Sequence, residues 1–275
     1  MLAPALSVVL LLFGSGLLLA VLQSFGYLPF IGRTTLTLDA YRDLLGSRAF
    51  YQSLGISLWV AGVSTLLATL LGLAVALLLR RPFSGRRRAL FLFQLNLPIP
   101  HLVGGVGILL LLGQSGLLAR AAYAVGLIAQ PADFPALIYD RFAIGIIAEY
   151  LWKETVFMAL VLLGALRTIG DEWEQAAATL GASAWQRFRH VLLPLLRPSL
   201  RAASILIFAF SFGAFEIPYL LGQRFPSALP VVAYRRYTDV DLAARAEAMA
   251  IAVMLSLVSL VLIVIYGRWT TRAAV

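Results

Sequence analysis

Four charged residues lie inside segments that are otherwise apolar. Glu149, Lys153 and Glu154 share one hydrophobic segment, and Glu216 lies in the next. A charge in mid-membrane costs about 2.5–3.5 kcal/mol on insertion scales, so such residues usually face a protein interior or a water-filled cavity. Glu149 and Lys153 are spaced i, i+4 with the acid first, the order that favours an ion pair on one helix face. These residues can therefore form ion pairs or contact a solute.

The sequence leaves more than one interpretation of these charges open. The Glu149–Lys153 pair either neutralises itself and holds helices together, or belongs to a pathway or gate. Glu216 has no local partner, so it lines a pathway, meets a cation from another helix or subunit, or lies in water near the outer end of its helix.

The sequence contains no pattern of residues that indicates catalysis or metal binding. The chain has no cysteine, which excludes disulfides, thiolate metal sites and thiol catalysis. His101 and His190 lie far apart and form no metal-ligand pattern. No paired His-Glu zinc motif, GxSxG elbow or GxxxxGK[ST] phosphate loop occurs. We therefore predict no catalytic residue, cofactor site or metal site. Because the chain has no phosphate loop with which to bind and hydrolyse ATP, any process that it drives must take its energy from a partner or an ion gradient.

The composition indicates an all-α integral membrane protein. Its 275 residues are 61% hydrophobic and 13% charged, whereas soluble domains average about 45–50% apolar and about 25% charged. The net charge of +9 does not indicate nucleic-acid binding, because the basic residues cluster beside hydrophobic spans, where they orient a protein in the bilayer.

Six hydrophobic segments are long enough to cross the hydrocarbon core, which takes about 20 apolar residues. They are residues 4–25, 54–79, 89–113, 142–166, 199–221 and 247–267. We expect the first to be retained, because it lacks a basic n-region and its apolar run exceeds that of a signal peptide. Pro98 and Pro100 interrupt the third span and Pro218 the fifth. Such breaks mark either a translocation path or a kink needed for packing.

The arginine distribution predicts the orientation. One set of loops carries twelve arginines against three acidic residues, including the run Arg86-Arg87-Arg88. The other set carries nine arginines against seven acidic residues. The first set is therefore predicted to be cytoplasmic, with both termini inside.

A polar, alanine-rich segment, residues 171–194, lies between the fourth and fifth spans on the predicted cytoplasmic side. Asp171 and Glu174 have the spacing of a capping box at the start of a short helix. Gly181 is expected to end that helix in the left-handed conformation.

A second set of signals follows in the same segment. Ser183 and Gln186 repeat the capping pattern for another helix, and Pro194 and Pro198 are expected to break the chain before the fifth span. This predicts a helix–turn–helix along the cytoplasmic surface. It is either a surface on which another protein docks or a well-capped hairpin with no partner.

The segment resembles the EAA loop of permease subunits in binding-protein-dependent ABC importers. That pattern is Glu-Ala-Ala, three residues, Gly, nine residues, then Ile-x-Leu-Pro. The matching residues are Ala176, Ala177, Gly181, Val191 (in place of Ile), Leu193 and Pro194. Gln175 occupies the position of the motif glutamate, and Glu174 lies beside it. Residues 36–41, 98–100 and 213–218 also resemble the polyamine-type permeases. Relatives of similar appearance serve ferric iron, thiamine, sulfate and phosphonates.

The resemblance implies a type I importer permease with six transmembrane helices and a coupling helix in the cytoplasmic loop between helices 4 and 5. A single permease domain would span residues 1–275, with the first helix and an external loop in 1–52 and the core transport domain in 53–267. The ATPase-coupling interface that it implies consists of Glu174, Gln175, Ala176, Ala177, Gly181, Ala182, Ser183, Leu193 and Pro194.

The resemblance also implies partners. A cytoplasmic ABC ATPase dimer would bind ATP and Mg, a second permease, identical or homologous, would complete the path, and an extracytoplasmic solute-binding protein would deliver the solute. The location would be a bacterial inner membrane. The intramembrane carboxylates favour a cationic solute such as a polyamine. The alternatives are a stand-alone ion-coupled secondary transporter or channel using Glu154 and Glu216, and a membrane scaffold without transport activity.

Overall fold

The computed structural model describes residues 3–271 and contains no β-strand over that range, so the prediction of an all-α fold is confirmed. The α-helices are α1 (Ala3–Ser24), α2 (Asp39–Gly46), α3 (Arg48–Leu79), α4 (Arg86–Gln94), α5 (His101–Leu112), α6 (Leu117–Ala124), α7 (Ile144–Ile169), α8 (Glu172–Thr179), α9 (Ala184–Arg187), α10 (Leu193–Gly213), α11 (Glu216–Leu221), α12 (Leu229–Tyr237) and α13 (Arg245–Thr271).

Five helical stretches among the described residues are long and apolar enough to cross a membrane. They are Leu6–Ser24, Arg48–Leu79, His101–Ala124, Ala184–Gly213 and Leu242–Val264. The predicted fourth span forms α7, which has 26 residues but is interrupted by Glu149, Lys153 and Glu154. Because those charges set α7 apart from the five apolar stretches, the count of six spans stays a prediction.

A stripe of small buried residues runs along α3, and its C-terminal part packs against α7. The small buried residues of α3 are Ser53, Ser57, Ala61, Ser64, Ala68, Gly72 and Ala76. Small side chains at this spacing let two helix backbones approach closely. The approach is tight at Gly72, because a Cβ added there would collide with the side chain of Met158 in α7.

Among the described residues, the buried core forms three clusters along the bundle. One joins α3, α7 and α10 and includes Leu162 and Leu196. A second joins α3, α7 and α11 around Tyr150 and Ile217. The third packs the short helices α2 and α12 against α13 around Ile251. α7 contributes to two of the three clusters, so it is central to the bundle.

Both predicted helix breaks exist, but only one lies at its prolines. The third span divides into α4 and α5, and Pro98 and Pro100 lie in the break as predicted. The fifth span divides at residues 214–215, before Pro218, which lies in the first turn of α11. A proline is tolerated there because a first-turn N–H has no helical partner. Pro218 therefore does not itself interrupt the span.

The prediction that Pro194 and Pro198 break the chain before the fifth span is wrong. α9 continues through a π-helical segment, Phe188–Leu192, into α10, which has Pro194 in its first turn and Pro198 inside it. Leu192 and Leu196 are 2% and 0% exposed. We attribute the continuity to their packing in the first cluster, which outweighs the backbone hydrogen bonds lost at the prolines.

Candidate functional site

α8 begins without the predicted capping box. Asp171 precedes the helix, but its side chain makes no capping hydrogen bond. The Glu174 carboxylate instead accepts a hydrogen bond from Nη2 of Arg80 at 2.5 Å. A guanidinium is a stronger donor to a carboxylate than a neutral N–H, which explains why Glu174 turns away from the helix start. The ion pair ties α8 to the end of α3, which Arg80 follows directly.

The turn after α8 has the predicted left-handed glycine. Gly181 has φ +83°, its N–H donates to the Ala178 carbonyl at 3.0 Å, and the Ala182 N–H donates to the Ala177 carbonyl at 3.0 Å. These two bonds define a Schellman motif. No atom lies within 4 Å of a Cβ built on Gly181, so glycine is required here by the backbone and not by lack of space.

The second capping box is confirmed. Ser183 Oγ accepts from the Gln186 N–H at 3.3 Å, and Gln186 Oε1 accepts from the Ser183 N–H at 2.8 Å. The helix that it starts, α9, is not a separate surface helix, because it runs on into α10. The predicted helix–turn–helix is thus a short helix joined by a tight turn to the end of a long one.

The 171–194 segment exposes large apolar side chains. Trp173, Leu180 and Trp185 are 61%, 88% and 63% exposed, and the Trp185 ring lies 5.4 Å from that of Phe188. Of the residues implied in the coupling interface, the exposed ones are Gln175, Ala176, Gly181 and Ser183, and the half-buried ones are Glu174, Ala177, Ala182, Leu193 and Pro194. Exposed apolar surface on a polar segment is typical of a site that binds another protein.

The buried charges of α7 have partners outside α7. Glu149 is 0% exposed, and its Oε1 lies 3.2 Å from Nδ1 of His101 in α5. Lys153 Nζ donates to the main-chain carbonyls of Asn96 at 2.9 Å and Ile99 at 2.6 Å, both in the break between α4 and α5. No Glu149–Lys153 ion pair forms in the described structure. That predicted pairing is wrong because each charge finds a partner on the neighbouring broken helix.

Glu154 differs from its neighbours, because it has no hydrogen-bond or ion-pair partner among residues 3–271. It is 7% exposed and, with His101 and Lys153, lines a cavity of about 400 Å³. Leu206 and Phe210 of α10 line the same cavity and are exposed. An unpaired buried carboxylate is thus adjacent to an open apolar face.

The fourth predicted pathway residue lies elsewhere. Glu216 is the first residue of α11 and is exposed, whereas Glu149, Lys153 and Glu154 are buried on α7. The sequence does not identify His101, Asn96 and Arg80 as the partners of these charged residues. A histidine beside a proline break inside a span was the available signal for the first of these. In the described part of the chain, no three His, Asp or Glu side chains are grouped to hold a metal ion.

An all-helical bundle with five stretches long and apolar enough to cross a membrane is the architecture of an integral membrane protein. A family profile described as "Binding-protein-dependent transport system inner membrane component" matches residues 68–273. The chain belongs to this family, the permease subunits of type I ABC importers.

Two relatives align over most of the chain. The molybdenum transport system permease protein ModB of Mycobacterium tuberculosis is 32% identical over 222 residues, covering 79% of this chain and 80% of the relative. The sulfate transport system permease protein CysW of Synechocystis is 30% identical over 234 residues, covering 82% of this chain and 79% of the relative.

A third relative aligns over a smaller part of its own length. The trehalose/maltose permease MalF of Thermococcus litoralis is 31% identical over 70% of this chain and 63% of the relative. None of these three names supports the predicted polyamine, iron or thiamine grouping.

The fold also matches solved structures. A chain of a bacterial ABC transporter that imports the acidic polysaccharide alginate superimposes with a TM-score of 0.83 at 19% identity, covering 99% of this chain and 94% of that one. A second structure, of the alginate transporter in complex with an alginate pentasaccharide-bound periplasmic protein, has a TM-score of 0.83 at 20% identity. At these identities the likeness shows the fold alone.

Proposed function

We propose that this chain forms one half of a solute path across a bacterial inner membrane and couples that path to a cytoplasmic ATPase dimer. The observation that carries the proposal is the docking unit of the 171–194 segment: α8, the Gly181 turn and the start of α9, with Trp173, Leu180 and Trp185 exposed. ATP and Mg would bind to the ATPase, since this sequence has no phosphate-binding loop.

A second permease would cover the face beside Glu154. The cavity there contains buried Lys153 and Glu154 and opens between the exposed side chains of Leu206 and Phe210. Lipid on that face would leave a carboxylate in hydrocarbon, which is costly, whereas a partner subunit and a water-filled path would solvate it. An identical or homologous permease is the occupant that the family membership favours.

The transported compound is proposed to be a small polar solute delivered by an extracytoplasmic binding protein. The relatives are named for molybdenum, trehalose/maltose and sulfate transport, and nothing among them supports a polyamine. The unpaired Glu154 is the single feature that favours a cationic solute. Lys153 and His101, in the same cavity, equally suit an anion. An uptake assay therefore needs both cationic and anionic solutes.

Glu174→Gln provides a direct test of coupling. It removes the charge that holds α8 to Arg80 while keeping the shape of the side chain. We expect weaker co-purification of the ATPase and slower ATP-dependent uptake, by about threefold to tenfold, because a partly exposed charge-assisted hydrogen bond contributes about 0.7–1.4 kcal/mol. Glu172→Gln, which removes the same charge from an exposed position of α8 outside the implied interface, is the matched control.

Unchanged uptake in Glu174→Gln would remove the support for α8 as the coupling element. Uptake that follows a membrane gradient, with no ATPase partner in the purified complex, would favour the alternative of a secondary transporter or channel that uses Glu154 and Glu216.

A further inference from the structure

A cavity of about 470 Å³ lies at the predicted cytoplasmic end of the bundle. It is bounded by the ends of α3 and α7 and the starts of α4 and α8. Its charged lining consists of Arg80, Arg81, Arg86, Arg167, Arg187, Asp171 and Glu174. Five arginines thus face two acidic residues in one concave site.

Most of this positive charge is not neutralised inside the chain. Arg80 pairs with Glu174, and Arg86 Nε donates to the Leu79 carbonyl at 2.5 Å. Arg81, Arg167 and Arg187 have no hydrogen-bond or ion-pair partner among residues 3–271. Guanidinium groups present planar pairs of N–H donors that match phosphate oxygens, so several unpaired ones around a cavity favour a phosphate ligand.

The cavity also has an apolar wall. Leu163 and Leu166 of α7 line it and belong to the buried core cluster of α3, α7 and α10. The site therefore combines a ring of arginines with the end of a hydrophobic bundle. Basic pockets between transmembrane helices at the cytoplasmic surface are suited to anionic lipid headgroups.

We propose that this cavity binds a phosphate group, supplied by an anionic phospholipid of the inner leaflet or by free phosphate. The cavity lies beside α8, so a bound phosphate affects how α8 is held. A bound phosphate competes with Glu174 for Arg80, so occupancy of the cavity changes how firmly α8 is held to α3. The lipid composition of the membrane then influences the proposed coupling element without contact with the transported solute.

The test uses the full chain in nanodiscs of phosphatidylcholine mixed with phosphatidylglycerol, with retained lipid counted by native mass spectrometry. The cavity variant is Arg167→Ala with Arg187→Ala. The control is Arg88→Ala with Arg197→Ala, which removes the same charge from the same predicted face but does not line the cavity. We expect the control to retain phosphatidylglycerol like the unmodified chain and the cavity variant to retain about tenfold less.

Two further measurements identify the source and guard against misfolding. Arg167→Lys with Arg187→Lys keeps the charge and is expected to restore part of the lipid retention. Thermal unfolding in detergent with excess inorganic phosphate tests whether free phosphate binds. If phosphate stabilises the unmodified chain but not the cavity variant, and no lipid is retained, the site is assigned to free phosphate.

Equal lipid retention and equal response to phosphate in all variants would overturn the proposal. So would normal binding of both probes by the cavity variant together with loss of ATPase co-purification, because the arginines would then serve a protein partner. Neither measurement depends on transport, so these outcomes leave the proposed function untouched.

Discussion

Lys153 shows how a buried cation is accommodated beside a broken membrane helix. Its ammonium group donates to the carbonyls of Asn96 and Ile99, which lie outside any α-helix. The Asn96 side chain in turn donates to the Trp152 carbonyl at 2.6 Å. The α4–α5 break and α7 are therefore linked in both directions, and Lys153 holds the break in a fixed shape.

Replacing Lys153 with Met should destabilise the chain. The change keeps an unbranched side chain that is one atom shorter but removes both hydrogen bonds. We expect a loss of about 3 kcal/mol, since hydrogen bonds from a charged donor contribute about 1.5–3 kcal/mol each. Thermal unfolding in detergent measures the effect. Glu154→Gln, which loses no described partner, is the control and should unfold near the temperature of the unmodified chain. A similar shift in both variants would argue against the role of Lys153 as a link.

The sequence predicts which residues carry charge inside the spans, but it does not predict their partners. Spacing along one helix favoured a Glu149–Lys153 pair, because only local neighbours can be seen in a sequence. The true partners, His101 and the carbonyls of the α4–α5 break, are about 50 residues away, and tertiary packing alone brings them close. The same limit explains why Arg80 was missed as the partner of Glu174.

At the scale of elements, the turn between α8 and α9 is the part that the sequence predicts best. Gly181 and the Ser183–Gln186 box act over two to five residues, so their signals are complete within the local sequence. The continuity of α9 with α10 could not be predicted in the same way. It depends on the burial of Leu192 and Leu196 against α3 and α7, which prevails over two local prolines.

Gly181→Val should weaken coupling without unfolding the membrane domain. A β-branched residue at φ +83° is strained by about 2 kcal/mol, so the turn would reopen and α8 would lose its position. We expect reduced co-purification of the ATPase and reduced uptake. Gly164→Val in α7, where a Cβ meets no atom within 4 Å and φ is ordinary, is the control. Normal uptake and ATPase co-purification in Gly181→Val would contradict the assignment of this segment.

Gly72→Leu should disrupt the packing of α3 on α7. The new side chain would overlap Met158, and overpacking of this kind costs about 1–3 kcal/mol. Gly62→Leu places the same side chain on α3 where a Cβ meets nothing within 4 Å and should leave stability nearly unchanged. Thermal unfolding of the two variants side by side measures the difference, and equal melting temperatures would show that the small-residue stripe is not tightly packed.

At the scale of the whole molecule, composition was enough to predict an all-α membrane protein, because apolar spans of sufficient length leave few other solutions. The number of spans does not follow from composition alone. α7 carries Glu149, Lys153 and Glu154, and these three charges separate it from the five apolar stretches. Its central place between two core clusters is a property of packing that hydropathy does not reveal.

The absence of cysteine from the sequence allows the orientation to be measured directly. Val240, which is 98% exposed, lies in a loop predicted to face outward, and Ser84 lies in the arginine-rich loop predicted to face the cytoplasm. A membrane-impermeant maleimide should label Val240→Cys in intact cells and Ser84→Cys only after the membrane is opened. The unmodified chain is the blank, and labelling of Ser84→Cys in intact cells would reverse the predicted topology.

The unbroken helical stretch Ala184–Gly213 has 30 residues, which at 1.5 Å per residue corresponds to a rod about 45 Å long. One end carries Trp185, beside the exposed apolar surface, and the other ends at the residues 214–215 break before Glu216. If this helix moves as one rigid body, it is a lever. A tilt of about five degrees imposed at the Trp185 end would displace the far end by about 4 Å relative to a pivot there. That distance is enough to open or close a passage for a small solute without any change in the helix itself.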